Sequence, residues 1–228
     1  MQLLGSDAAC DRTRTFAAPR FFLALLCSIA AFATSLEAAP SIVLNSGSVS
    51  ISGLAPGAAA IVFTVGREKI GYSTGYARHD YLTQAADAAG NASVSISSVL
   101  PASVWCVVDL QTGAYATATP AGYTVTAAPL PSTSLRNVGS NYANTLRVKH
   151  DFLEVLWVRP GAGAWQASVG DGGASDADHT VDGYISLATT GMAAIGSRQP
   201  PPDHFLANDT LIVVDPDTME IFAIQVPQ

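Results

Sequence analysis

Ser48-Val-Ser-Ile-Ser-Gly-Leu-Ala-Pro-Gly57 alternates polar and apolar side chains and then runs into a Pro-Gly pair. Period-two alternation is the mark of a strand with one buried face, and Pro-Gly is a turn signal. The same alternation returns in Ser93-Val-Ser-Ile-Ser97. Four other segments are near-continuous apolar runs: Ala60-Ile-Val-Phe-Thr-Val65, Val104-Trp-Cys-Val-Val108, Val155-Leu-Trp-Val158 and Leu211-Ile-Val-Val214. Short runs of this kind, bounded by turn residues, predict central strands of a sandwich core. Pro56-Gly57, Ala89-Gly-Asn91, Thr112-Gly113, Pro160-Gly161, Asp182-Gly183 and Asp215-Pro-Asp217 supply the turns. Outside the N-terminus the clearest helical candidate is Tyr81 to Ala89, on alanine content alone. Many short strands at such spacing predict an all-β sandwich or barrel.

The alternation breaks at Ala127-Ala-Pro-Leu-Pro-Ser-Thr-Ser-Leu135, where Pro129 and Pro131 remove backbone donors and stiffen the chain. This reads as a linker over 128–141 between halves at 41–127 and 142–228. Val107-Val-Asp-Leu-Gln-Thr112 aligns without gaps on Val213-Val-Asp-Pro-Asp-Thr218, and Ile61-Val-Phe-Thr-Val65 occupies the place of Glu154-Val-Leu-Trp-Val158. The second half therefore reads as a divergent repeat of the first. In the shared Asp-x-x-Thr the aspartate accepts backbone N–H bonds and reverses the chain into a hairpin.

Ser48-Val-Ser-Ile-Ser-Gly-Leu-Ala-Pro-Gly57 and Ala86-Asp-Ala-Ala-Gly-Asn-Ala-Ser-Val-Ser95 resemble the modules of bacterial secreted proteins built from immunoglobulin-like or fibronectin-type β-sandwiches. The resemblance covers 41–127 and implies a fold, two immunoglobulin-like sandwich halves, with no catalytic motif attached. Trp105 is present, but the cysteine pair that flanks such a tryptophan in antibody domains is not.

At the N-terminus Arg12, Arg14 and Arg20 precede the apolar run Phe21 to Ala33, which ends in Ala31-Phe-Ala33. A basic start, a short apolar helix and a small-residue exit predict a signal peptide over 1–33 and a secreted or periplasmic product. The run is shorter than the roughly 20 apolar residues of a membrane span, so no membrane association is expected after cleavage. Cleavage after Ala33 removes three of the 11 basic residues and Asp7 and Asp11 of the 18 acidic ones, leaving 8 against 16. That acidic balance disfavours nucleic acid, whose phosphates call for a basic surface. Cleavage also removes Cys10 and Cys27, so an intrachain disulfide and a cysteine-held structural zinc are excluded. Cys106, inside an apolar run, is expected to be a small buried hydrophobe.

Gly71-Tyr-Ser-Thr-Gly75 matches the G-x-S-x-G nucleophile elbow, which needs a strand turning sharply into a helix. A serine hydrolase using Ser73, with Asp109 and His150, His179 or His204, is one alternative function. The loop Asp171 to Gly183 carries Asp171, Asp176, Asp178 and Asp182, four carboxylates that could wrap calcium. It fails as an EF-hand read from Asp176, because Val181 takes the glycine position and Leu187 the bidentate glutamate position. A calcium-stabilised extracellular module is the second alternative. His79, His150, His179 and His204 show no zinc-binding spacing. Tyr72, Tyr76, Tyr81 and Trp165 are either sugar-stacking platforms or half-buried core caps. The sequence leads to a secreted, non-enzymatic binding, adhesion or structural module without a cofactor, its partner a glycan or a surface protein.

Overall fold

Residues 39–70, 73–100, 102–120, 134–138, 141–148, 152–170, 183–187, 192–195 and 200–227 are described by a computed structural model. Among these residues every regular element is a strand, and every pairing is antiparallel. The first sheet is β1 (Ser41–Asn45), β2 (Ser48–Ser52) and β5 (Ala92–Ser95), in that order. The second runs β4 (Ser73–Leu82), β3 (Ala60–Ile70), β6 (Ser103–Asp109), β7 (Tyr115–Ala118). The third runs β13 (Ala193–Ile195), β11 (Gly163–Gly170), β10 (Phe152–Arg159), β15 (Thr210–Val214), β16 (Ile221–Gln225). In the fourth, β9 (Asn141–Val148) pairs with β8 (Ser134–Val138), β12 (Gly183–Ser186) and β14 (His204–Phe205). The strand β8 falls within the stretch whose sequence reads as a linker.

Alternation along the apolar runs shows how the sheets stack. On β3 and β6, Ile61, Phe63, Val65, Val104, Cys106 and Val108 share a core with Leu156, Val158, Ile212 and Val214 of the third sheet. The intervening residues Ala60, Val62, Trp105 and Val107 pack on Val49 and Ile51 of the first sheet. In the same way Leu153, Val155, Trp157, Leu211 and Val213 turn to the other side of the third sheet, against Phe205 and Leu135 of the fourth. Four sheets thus enclose three cores. Strands β3, β6, β10 and β15 of the two inner sheets pack on both faces, which is why their apolar runs lack a polar alternate. Cys106 is fully buried, and burial pushes its thiol far above the ordinary range, leaving a packed hydrophobe rather than a nucleophile.

Strand order recurs between the halves. The order β4-β3-β6-β7 is matched by β11-β10-β15-β16, and β1-β2-β5 by β8-β9-β14. The registers agree as well: Val108 pairs with Ile61 and Val214 with Glu154, so Phe63 corresponds to Leu156 and Val65 to Val158. The two Asp-x-x-Thr turns superpose bond for bond. Asp109 Oδ1 accepts Gln111 and Thr112 N–H, and Asp215 Oδ1 accepts Asp217 and Thr218 N–H. Thr112 and Thr218 hydroxyls then accept the N–H two residues on.

Tyr81 to Ala89 is not a helix. Leu82 ends β4, and the donors beyond it go to a neighbouring segment instead of to carbonyls one turn back: Thr83 N–H to Ala60 O, Ala86 N–H to Ala58 O. Ala60 N–H bonds the Thr83 hydroxyl in return. Alanine is helix-prone but carries no face to bury, so pairing with an available backbone prevails.

Gly113 sits where the hairpin ends of the two inner sheets meet. Its carbonyl accepts the Thr210 hydroxyl, and the Thr112 carbonyl beside it accepts Gln225 Nε2. Its φ is +73°, and an added Cβ would stand 2.6 Å from Asn208 O and 2.9 Å from Pro160 Cγ. Gly113→Ala is expected to cost about 2 kcal/mol or more, from the left-handed backbone and the clash together. Thermal unfolding of the variant measures it.

Candidate functional site

Strand β4 is the edge of the second sheet, and both of its faces carry polar side chains. Its even-numbered residues face the third sheet. Val65 opposes Arg78 and Phe63 opposes Asp80 in register, so these charges continue a face that is otherwise core. Arg78 Nη1 lies 2.6 Å from Glu154 Oε2 of β10 and 3.0 Å from Ser168 Oγ of β11. The Ser168 hydroxyl donates to Glu154 at 2.8 Å. Arg78 Nε is 3.6 Å from Asp80. Asp80 Oδ1 and Gln166 Oε1 are buried acceptors with no donor among the described residues.

Burial is the leading electrostatic effect here. It pushes Asp80 up to about 6, with Arg78 pulling the other way and Glu154 adding to the rise. Glu154 is also raised by burial, against the Ser168 hydrogen bond and Arg78. Tyr76 is raised by burial and by the charges of Glu154 and Asp217. Two carboxylates facing one guanidinium between layers form a fastener that responds to protons. Nothing in this arrangement presents a nucleophile.

The odd-numbered residues of β4 face the first sheet and line a cavity of about 150 Å3 with Thr64, Gly66, Ser97, Ser98, Leu100 and Trp105. Its floor is one rung across three strands, His79–Thr64–Trp105, because Thr64 pairs with His79 on one side and Trp105 on the other. The indole is held in place: Trp105 Nε1 donates to Ser103 Oγ at 2.8 Å, and that hydroxyl donates to Leu100 O at 2.6 Å. Tyr81 forms a wall, its ring centroid 6.2 Å from that of His79. Gly66 lets Leu100 approach, since a Cβ there would meet Leu100 Cδ1 at 2.7 Å. Thr64 is 4% exposed. A larger groove of about 630 Å3 runs along β1 to Thr119 and Pro120, and most of it is flanked by small side chains.

The residues singled out from sequence fall elsewhere. Asp171, Asp176, Asp178 and Asp182, the calcium candidates, lie outside the described residues, as do Tyr72, His150 and His179. Ser73 begins β4 and its backbone pairs with Ile70 in a hairpin, so the strand-to-helix turn of a nucleophile elbow is not formed there. Asp109, its nominated acid, is 1% exposed and committed to structure: Oδ1 holds the turn, and Oδ2 accepts Ala55 N–H at 2.8 Å. His204 is exposed, and its carbonyl accepts Arg159 Nη2. Trp165 is 2% exposed and packs on Trp157 at 5.3 Å, a core residue and not a platform. Tyr81 does line a cavity. Among the described residues no group of three or more His, Cys, Asp or Glu side chains is placed to hold a metal ion. No protein-family model and no curated protein sequence matches the chain.

Proposed function

We propose that this chain is a secreted or periplasmic, non-enzymatic module of two related immunoglobulin-like sandwich halves, 41–127 and 142–228, which acts by binding. Export under residues 1–33 and the turn-rich, strand-only sequence support the setting. One observation carries the binding reading: the buried ionisable groups among the described residues fasten turns and layers rather than gather around a cleft. Asp109 and Asp215 close turns, Glu154 and Arg78 pair across layers, and Asp209 is enclosed by Arg159 and Trp157.

The reading predicts that the purified protein turns over short-chain nitrophenyl esters no faster than buffer, and that Ser73→Ala changes nothing. Ester turnover that vanishes in Ser73→Ala would replace the binding module with a hydrolase.

A further inference from the structure

We propose that one proton, held on Asp80 Oδ1 and donated to Gln166 Oε1, latches the edge strand β4 to the third sheet, so that this edge is fastened in acid and frays at neutral pH. The device belongs to the fold and is independent of what the module binds.

Two stranded atoms locate the latch. Asp80 Oδ2 is the oxygen turned to Arg78 Nε, at 3.6 Å. Oδ1 is buried without a donor, and so is Gln166 Oε1. Both residues face the same interlayer. Arg78, two residues before Asp80, reaches Ser168, and Ala164 packs in the core between the second and third sheets. Gln166 lies between Ala164 and Ser168 on that face of β11. Its amide N–H favours the ionised form of Asp80. A carboxyl beside an amide makes two bonds when it holds a proton: amide N–H to one carboxyl oxygen, and carboxyl O–H to the amide oxygen. Ionised, the same pair makes only the first and leaves two buried acceptors facing no donor. Stranded acceptors of that kind oppose folding, so a single proton repairs both at once.

The latch governs β4 because little else holds that strand to the third sheet. The apolar core between the second and third sheets takes no described residue of β4. The contacts across are polar: Arg78 to Glu154 and Ser168, and Arg67, on the paired strand β3, to Asp217 O. As an edge, β4 has a backbone ladder on one side only. The groups facing Asp80 are few. Arg78 and His79 on its own strand favour its charge, Glu154 on β10 opposes it, β11 presents the uncharged Gln166 and Ser168, and β3 presents Phe63 in register. Burial outweighs the cations and pushes Asp80 up to about 6. A frayed strand returns the carboxyl to water and to its ordinary value of 3.8. The fastened state therefore binds more protons between those values, and rising pH favours fraying until about 6, beyond which the effect is flat.

Amide hydrogen exchange on the full-length purified protein, corrected for base catalysis, tests the latch, together with a carbon NMR titration of the Asp80 carboxyl. Protection across Tyr76 to Leu82 should fall about tenfold from pH 5 to pH 7.5, while β10 and β15 stay unchanged. The Asp80 midpoint should lie at about 6. Asp80→Asn, whose amide donates to Gln166 at every pH, should keep the parent's pH 5 protection at both values. Gln166→Leu, which keeps the acid and removes its acceptor, should exchange at pH 5 as fast as the parent does at pH 7.5. An Asp80 midpoint near 4 would overturn the latch. So would a tenfold fall that persists in Asp80→Asn, which would move the response to Glu154. Parent-like protection of Gln166→Leu at pH 5 would also overturn it, because water would then be serving the two oxygens.

Discussion

Asp209→Ala is expected to lower the unfolding free energy by about 3–5 kcal/mol, and the melting temperature by about 10 °C. Asp209 is 1% exposed, and both of its carboxylate oxygens are in use. Oδ2 accepts Trp157 Nε1 at 3.0 Å, Arg159 Nη2 at 2.8 Å and Leu206 N–H at 2.9 Å, while Oδ1 accepts Arg159 Nε at 3.0 Å. The guanidinium also donates to His204 O and lies 5.5 Å from the Trp157 ring. One carboxylate thereby secures β10 to the turn that precedes β15, and it fixes the short β14 segment whose Phe205 packs edge-on against Trp157 at 4.8 Å. Alanine would leave a part-buried arginine without its anion and a buried indole N–H without an acceptor, the situation in which removing one partner is most costly. Asp209→Asn keeps one acceptor oxygen, so it should lose about half as much. Urea unfolding followed by tryptophan fluorescence reads both values. A midpoint for Asp209→Ala within error of the parent would mean that packing alone holds this corner.

The fold was legible where burial imposes a pattern. Ser48-Val-Ser-Ile-Ser52 is solvated on one face and keeps its alternation, so it reads as β2 directly. The runs Val104 to Val108 and Leu211 to Val214 read as central strands, and they are strands buried at every residue. The gapless Asp-x-x-Thr match was legible because turn chemistry is local: one carboxylate and two N–H groups a few residues away. Which sheets face one another was not, since an all-apolar strand looks the same whichever neighbour covers it. The apolar run ends at Val65, yet β3 continues to Ile70, because a hairpin can carry charged residues beyond the packed region.

The candidate site was hardest to see for the same reason. Arg78-His-Asp-Tyr81 holds four polar or amphipathic residues in a row, which suggests neither a one-faced strand nor a core strand. On an inner-sheet edge both readings apply at once: Arg78 and Asp80 serve one interlayer, His79 and Tyr81 the other. The one signal available in advance was Glu154, a carboxylate at the position where the first half has Ile61. A buried acid in an apolar strand demands a cation. Its partner stands 76 residues earlier in the chain, a separation that no local pattern spans.

That pairing gives the second large effect, one that depends on pH. Arg78→Leu is expected to cost about 3 kcal/mol at pH 7.5 and only about 1 kcal/mol near pH 5. The folded protein holds a proton on Asp80 up to about pH 6, whereas an unfolded aspartate releases it near 3.8. Between those values unfolding releases protons, so this group's contribution to stability is greatest at low pH. It declines as pH rises through the window and is flat above it. Glu154 is raised in the same direction and adds to the decline. Arg78 opposes both shifts, since its charge favours the ionised carboxylates. Without it the two acids must either stay protonated or face each other ionised between sheets with only the Ser168 hydroxyl to help. At pH 5 protonation is available and the variant tolerates the loss. At pH 7.5 it is not, and the joint between the inner sheets loosens. Asp80→Asn on the parent background should act oppositely, flattening the decline between pH 4 and 7, because the amide cannot ionise and supplies N–H donors beside the orphaned Gln166 Oε1. Urea midpoints at the two pH values decide the matter: equal losses for Arg78→Leu at both would show that its aliphatic stem, and not its charge, is what the interlayer needs.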